Sequence, residues 1–172
     1  MARLVALLRG INLGSKRRVA MADLRELLAD LGYEDVRTVL QSGNVVFTGT
    51  KAKAQATLER ALHDRYGFKV DVVLRTMSEL HAVVDADPLK DEATDLTRYF
   101  VTFLPAKPDA AALAKLQEQD FAPDKLAAGD RELYAWCPEG MQNSKLMRTL
   151  VKPGLAETAT TRNMSTVKKL LE

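Results

Sequence analysis

The sequence is short of the residues that cross-link a chain or chelate a metal. Cys137 is its single cysteine, so an intrachain disulfide cannot form and a cysteine-built zinc site is excluded. His63 and His81 are its only histidines; they stand far apart and lack the His-Glu-x-x-His spacing of a metal ligand pair. No metal and no cofactor are expected. Long apolar runs are missing as well. Residues 4–8 form an apolar stretch bounded by Arg3 and Arg9, and no later stretch is longer. That is too short for a signal-peptide core and far too short to span a bilayer. The expectation is a cytoplasmic protein with no membrane partner. A dominant charge is absent too: 25 Lys and Arg face 23 Asp and Glu, for a net charge of +2, too little for a general nucleic-acid binder.

What is present is ordinary globular material, with 47% hydrophobic and 28% charged residues. A chain of 172 residues suits one larger domain or two units of about 80–90 residues sharing a core. Charge is distributed unevenly along it. Residues 1–18 hold Arg3, Arg9, Lys16, Arg17 and Arg18 and no acid. Residues 143–172 are also basic, whereas residues 85–95 carry Asp85, Asp87, Asp91, Glu92 and Asp95 against Lys90 alone.

Hydrophobic periodicity orders the chain. Residues 4–8 are apolar without interruption, the mark of a central strand buried on both faces. After a break at residues 10–14, Leu24, Leu27, Leu28 and Leu31 follow a helical stripe that Gly32 closes. Strands are expected over 36–40 and 45–47, joined by a hairpin through Gln41-Ser42-Gly43-Asn44. A second helix aligns Ala54, Leu58, Ala61 and Leu62, and residues 68–75 alternate as a half-exposed strand. The order is βαββαβ, the ferredoxin-like split unit. A short helix over 78–84 and an acidic linker over 85–97 come next. The same order then returns, with strands over 99–104, 126–128, 131–137 and 158–161. Helices run over 109–119 and 143–151, the latter stopped by Pro153-Gly154, and a last helix carries Val167, Leu170 and Leu171. The reading is an α+β chain of two ferredoxin-like units, 1–84 and 98–172, each followed by extra helices. The repeat is one of architecture, since the halves share little residue identity.

Three segments carry a family likeness: Leu7-Leu8-Arg9-Gly10-Ile11-Asn12-Leu13-Gly14, Gln41-Ser42-Gly43-Asn44-Val45-Val46-Phe47, and Thr160-Thr161-Arg162-Asn163 followed by Thr166-Val167-Lys168-Lys169-Leu170. Together they resemble a bacterial family known only as domain of unknown function 1697. The closing motif of that family usually has Trp after Arg-Asn, where this chain has Met164. The resemblance implies a compact α+β fold with ferredoxin-like halves and implies no activity, because the family has no assigned reaction.

The loop over 10–18 joins a strand to a helix, where phosphate loops sit. It matches neither standard pattern. The dinucleotide motif needs glycine where Asn12 stands, and the Walker motif needs glycine directly ahead of its lysine, where Ser15 precedes Lys16. Lys16, Arg17 and Arg18 nevertheless crowd the approach to a helix N-terminus, where each cation is disfavoured by about 0.3–1 kcal/mol. A bound anion offsets that cost, while a solvated basic loop explains the same residues without one. The βαββαβ topology brings the first loop, the hairpin turn and the turn before the fourth strand to one end of the sheet. Arg9, Asn12, Lys16, Arg17, Ser42 and Asn44 are therefore the candidate ligand-binding residues. Their structural alternative is turn formation and loop bracing by Gly43, Asn44 and Asn12. Arg162 and Asn163 join the candidates as a cation and a polar group ahead of the last helix, where Asn163 or Ser165 also reads as a cap.

No catalytic constellation is visible, and the catalytic residues are unknown. Cys137 alternates with Leu133 and Ala135 and reads as a buried structural thiol. A base-stacking sheet face needs aromatics on the first and third strands, and those strands offer only Phe47. The leading expectation is a non-enzymatic protein that binds an anion or nucleic acid at these basic loops. The alternatives are a small enzyme acting on a phosphorylated substrate at the same loops and a homodimeric interaction scaffold.

Overall fold

The computed structural model describes residues 1–151 and 158–172. Its elements follow from where apolar side chains can be buried. In β1 (Ala2–Leu8), residues 4 to 8 are buried on both faces, as an uninterrupted apolar strand requires. Strand β3 (Asn44–Gly49) lies antiparallel on one side of β1 and β4 (Val72–Thr76) on the other, with β2 (Glu34–Val39) at the edge beyond β3. The sheet order is β2-β3-β1-β4. Helices α1 (Met21–Asp30) and α2 (Ala54–Tyr66) cover the face that presents Leu4, Ala6 and Leu8, placing Leu24, Leu27, Leu28, Leu58 and Leu62 against Val45, Phe47, Val72 and Leu74. Helix α2 ends at Gly67, whose φ of +76° is the left-handed cap that glycine adopts without strain.

The second unit repeats this plan. Strands β5 (Tyr99–Phe103), β6 (Lys125–Ala128), β7 (Glu132–Trp136) and β8 (Thr160–Asn163) form a sheet of order β6-β7-β5-β8. Helices α4 (Ala110–Glu118) and α5 (Lys145–Leu150) lie between its strands, and Phe100, Leu104, Leu116, Phe121, Leu133, Ala135, Leu146 and Leu150 make its core. The chain is thus α+β, with two four-stranded antiparallel sheets in successive ferredoxin-like βαββαβ order. The helix stop expected at Pro153-Gly154 lies outside the described residues.

Contacts divide the chain into Met1–His81 with Lys169–Glu172, and Ala82–Lys168. The division falls inside α3 (Met77–Ala86), and the last turn of α6 (Met164–Leu170) groups with the first unit. There Arg37 of β2 donates to the carbonyls of Leu170 at 3.0 Å and Glu172 at 3.2 Å. The acidic stretch 85–97, expected as a linker, belongs to the second unit instead. Tyr99 Oη donates to Asp87 Oδ1 at 2.8 Å and accepts from the Leu89 amide at 3.3 Å, while Leu89 and Ala93 are buried. Two apolar anchors among surface acids hold it down.

One sequence likeness between the halves emerges only from register. Arg75 of β4 pairs with Val5, and Arg162 of β8 pairs with Val101, so both arginines occupy the same place in their sheets. Each opens an Arg-x-Met-Ser run, Arg75-Thr76-Met77-Ser78 and Arg162-Asn163-Met164-Ser165. In each run the second residue caps the following helix. Thr76 and Glu79 exchange side chain-to-amide hydrogen bonds at 2.8 and 3.1 Å, and Asn163 Oδ1 accepts from the Thr166 amide at 2.9 Å.

Candidate anion-binding site

The end of β1 and the starts of β3 and β4 meet at one end of the first sheet, and the connections there are stitched together backbone to backbone. The Leu8 amide donates to the Gly43 carbonyl at 2.8 Å and the Arg9 amide to the Asp71 carbonyl at 2.9 Å. Gly43 sits at φ +90°, and a Cβ there would lie 2.7 Å from Ile11 Cδ1 and 2.9 Å from Leu8 Cβ. Only glycine lets the hairpin turn press so closely on the first loop.

Asn12 joins the same two segments through its side chain. Its Nδ2 donates to the Val19 carbonyl at 2.9 Å and to the Gln41 carbonyl at 2.7 Å, and its Oδ1 accepts from the Val19 amide at 2.8 Å. Both amide hydrogens are used, so Asn12 holds the loop closed across its own span and fastens it to the turn. Asparagine is suited to the task because its backbone is left-handed, at φ +56°. Arg17 fastens the other side. Its guanidinium donates to the carbonyls of Gly10 and Lys69, each at 2.8 Å, and lies over the Phe68 ring at 4.8 Å. This ties the first loop to the segment ahead of β4.

Arg9 forms an ion pair with Asp71 at 3.8 Å, and Lys69 approaches the same carboxylate at 3.5 Å. Pairs this exposed contribute at most about 1 kcal/mol. Lys16 is exposed. Ser42 is exposed and accepts from Asn44 Nδ2 at 2.9 Å, while Asn44 also donates to the Val39 carbonyl at 2.7 Å and is wholly buried. Asn44 therefore builds the turn and presents no face to solvent. Arg162 and Asn163 belong to the second unit. The Arg162 guanidinium is buried and donates to Thr160 Oγ1 at 2.6 Å and the Thr161 carbonyl at 2.9 Å. Desolvation lowers its pKa to about 10. Asn163 is the cap of α6. The structure thus gathers Arg9, Asn12, Lys16, Arg17, Ser42 and Asn44 at one end of the first unit and leaves Arg162 and Asn163 on a strand of the second.

Between the loop and the turn lies a cavity of about 220 Å³ lined by Asn12, Arg18, Val19, Ala20, Met21 and Gln41. Helix α1 begins on its wall, and Ala20 at the cap position supplies no side-chain hydrogen bond. Its first amides are the free donors that attract an anion. Arg18 spends one nitrogen on the Gly14 carbonyl at 3.1 Å. Sequence reasoning passed over Arg18 and Gln41 as lining residues; adjacency to Arg17 and Ser42 was the only available signal. Across the three connecting segments Arg9, Lys16, Arg17, Arg18 and Lys69 face Asp71 alone, a net charge of +4.

The family described as protein of unknown function, DUF1697, matches residues 1–134. The chain belongs to this family. The match takes in the loop, the hairpin turn and the segment ahead of β4, so the cavity lies wholly within it. The closing Arg-Asn motif falls beyond it, and Met164, which stands where the family's Trp was expected, is fully buried. No curated protein matches. Among solved structures, the chain is similar to the conserved bacterial protein SP0830 from Streptococcus pneumoniae. The two are 28% identical with a TM-score of 0.79, over 98% of this chain and 96% of that one. Neither likeness assigns a function.

Proposed function

We propose that the first unit binds a phosphate-bearing ligand, without catalysing a reaction, at the cavity between its first loop and its hairpin turn. The observation that carries this reading is a cavity at an uncapped helix start, lined by Arg18 and set at an end of the sheet whose three connecting segments carry a net charge of +4. Arg18 and Lys16 supply charge, the first amides of α1 and the Gln41 side chain supply donors, and Asn12 and Arg17 hold the frame. The lining contains no carboxylate, histidine or thiol, so no general acid or base stands in the cavity, and binding is favoured over catalysis. The reading is of a cytoplasmic protein whose ligand is met in solution or on a larger phosphate-bearing partner.

Calorimetric titration with inorganic phosphate, small phosphorylated compounds and short oligonucleotides tests it. Saturable binding is expected, with Arg18→Ala weakening it by about 1–3 kcal/mol, the range for a hydrogen bond to a charged group. A small ligand gives an affinity independent of oligonucleotide length, whereas a nucleic-acid ligand gives one that rises with length and falls steeply with salt. Equal affinities for wild type and Arg18→Ala would overturn the assignment.

A further inference from the structure

Two leucines at this end of the first unit are placed where solvent does not favour them, and for one of them the backbone does not either. Leu13 is 74% exposed and Leu40 is 51% exposed. Leu40 also has a φ of +61°, a left-handed conformation that a side chain of its size rarely adopts. Leu13 stands between two left-handed residues, Asn12 at +56° and Gly14 at +76°, which set it at the tip of the loop. The two leucines adjoin the two ends of one hydrogen bond, that from Asn12 Nδ2 to the Gln41 carbonyl. They are therefore held at the same end of the unit, in the company of Lys16 and Arg18. The other exposed large apolar residues described are Met1, at the opposite end of β1, and Met141 and Val151 in the second unit.

We infer that this end of the first unit docks on the surface of an anionic lipid bilayer, with Leu13 and Leu40 entering the interface while Lys16 and Arg18 meet headgroup phosphates. The inference rests on the phosphate-binding reading and names the partner that presents the phosphate. Exposed aliphatic side chains with cations beside them are what an anionic bilayer surface rewards, apolar atoms below and charge at the headgroup level. Single-stranded nucleic acid asks instead for aromatic stacking, and the one aromatic in these segments, Phe68, already lies under Arg17. A protein partner needs roughly 800 Å² from each side around a well-packed apolar centre, and two exposed leucines do not make such a centre. Among the described residues no helix is long and apolar enough to cross a membrane, and a surface contact requires none; the expectation of no membrane partner rested on spanning segments alone.

Sedimentation with vesicles of equal parts phosphatidylcholine and phosphatidylglycerol, beside vesicles of phosphatidylcholine alone, tests the inference on the whole chain. Binding to the anionic vesicles only is expected. Leu13→Ser and Leu40→Gly should each weaken it on the order of tenfold, the scale of losing one buried leucine, with affinity for inorganic phosphate unchanged. Leu40→Gly places glycine in a conformation that suits it, so lost binding in that variant cannot be ascribed to misfolding. Vesicle binding that survives both leucine substitutions would overturn the inference. Phosphate or oligonucleotide binding without vesicle binding would overturn it and leave the phosphate-binding reading standing. Absence of all three would remove both.

Discussion

Tyr66 closes α2 with a buried hydroxyl that has no hydrogen-bond partner among the described residues. Burial raises its pKa first, with Asp23 and Glu26 adding to the effect and Arg65 opposing it. A stranded hydroxyl costs the fold about 1–3 kcal/mol, so Tyr66→Phe should leave the melting temperature unchanged or raise it; a fall of several degrees in calorimetry would refute this. Cys137 is the opposite case, a polar group fully served. Its thiol is buried, donates to Ser144 Oγ at 3.4 Å, and is pushed up to about 11 chiefly by desolvation. A folded pKa above the unfolded 9.0 means the unfolded state loses its proton first. Cys137 thus contributes full stability below about pH 9 and loses it as pH rises toward 11. Tyr99 and Tyr134, also raised by burial, push the same way at higher pH. The difference in unfolding free energy between wild type and Cys137→Ala should therefore shrink between pH 9 and 11, and a flat difference would sink the assignment. The buried thiol was legible in the sequence because Cys137 alternates with Leu133 and Ala135. The unsatisfied phenol was not, since helical periodicity places a ring but says nothing of where its hydroxyl ends.

At the scale of elements, the first strand announced itself and the loop after it did not. Five apolar residues in a row admit little besides a central strand, and the structure extends it back only to Ala2. The fourth strand shows the weakness of alternation as a signal. Its period begins at Phe68, yet pairing with β1 begins at Val72. Residues 68 and 69 are instead engaged by Arg17, through the Phe68 ring and the Lys69 carbonyl. The basic run 16–18 looked like one feature because charge is all that sequence reports. In the structure its members divide: Arg17 braces the frame, Arg18 lines the cavity and Lys16 faces water. Arg17→Ala should accordingly cost about 1–2 kcal/mol of stability through two lost guanidinium-to-carbonyl bonds, whereas Lys16→Ala should cost almost none. Denaturant titration of the two variants separates these outcomes, and equal midpoints would show that Arg17 braces nothing.

Across the whole chain, topology was readable and the subtler repeat was not. Turn residues, helical stripes and apolar runs recur in the same order in both halves, which is enough to set two βαββαβ sheets. A likeness confined to Arg-x-Met-Ser is invisible until strand register aligns Arg75 with Arg162. Composition also misplaced the acidic stretch, because Leu89 and Ala93 are too few to register among its charges. The aligned arginines make a prediction that a surface reading of Arg162 cannot. Both are buried, Arg75 with a hydrogen bond to the Leu74 carbonyl at 3.1 Å and Arg162 bonded to Thr160 and Thr161. A guanidinium is accepted in such a place only when its donors are satisfied, and its removal leaves the acceptors stranded and a large hole. Arg162→Ala and Arg75→Ala should therefore each destabilise by about 3 kcal/mol or more, while phosphate binding at the loops of the first unit persists wherever the variant remains folded. Arg162 offers an internal check on sign. Its folded pKa of about 10 lies below the ordinary 12.5, so burial of its charge costs stability below pH 10 and that cost is relieved above it. The penalty of Arg162→Ala should thus grow as pH rises past 10, opposite to the trend for Cys137→Ala. A variant within about 0.5 kcal/mol of wild type, the range of ordinary surface substitutions, would show that the equivalent positions carry no shared structural role.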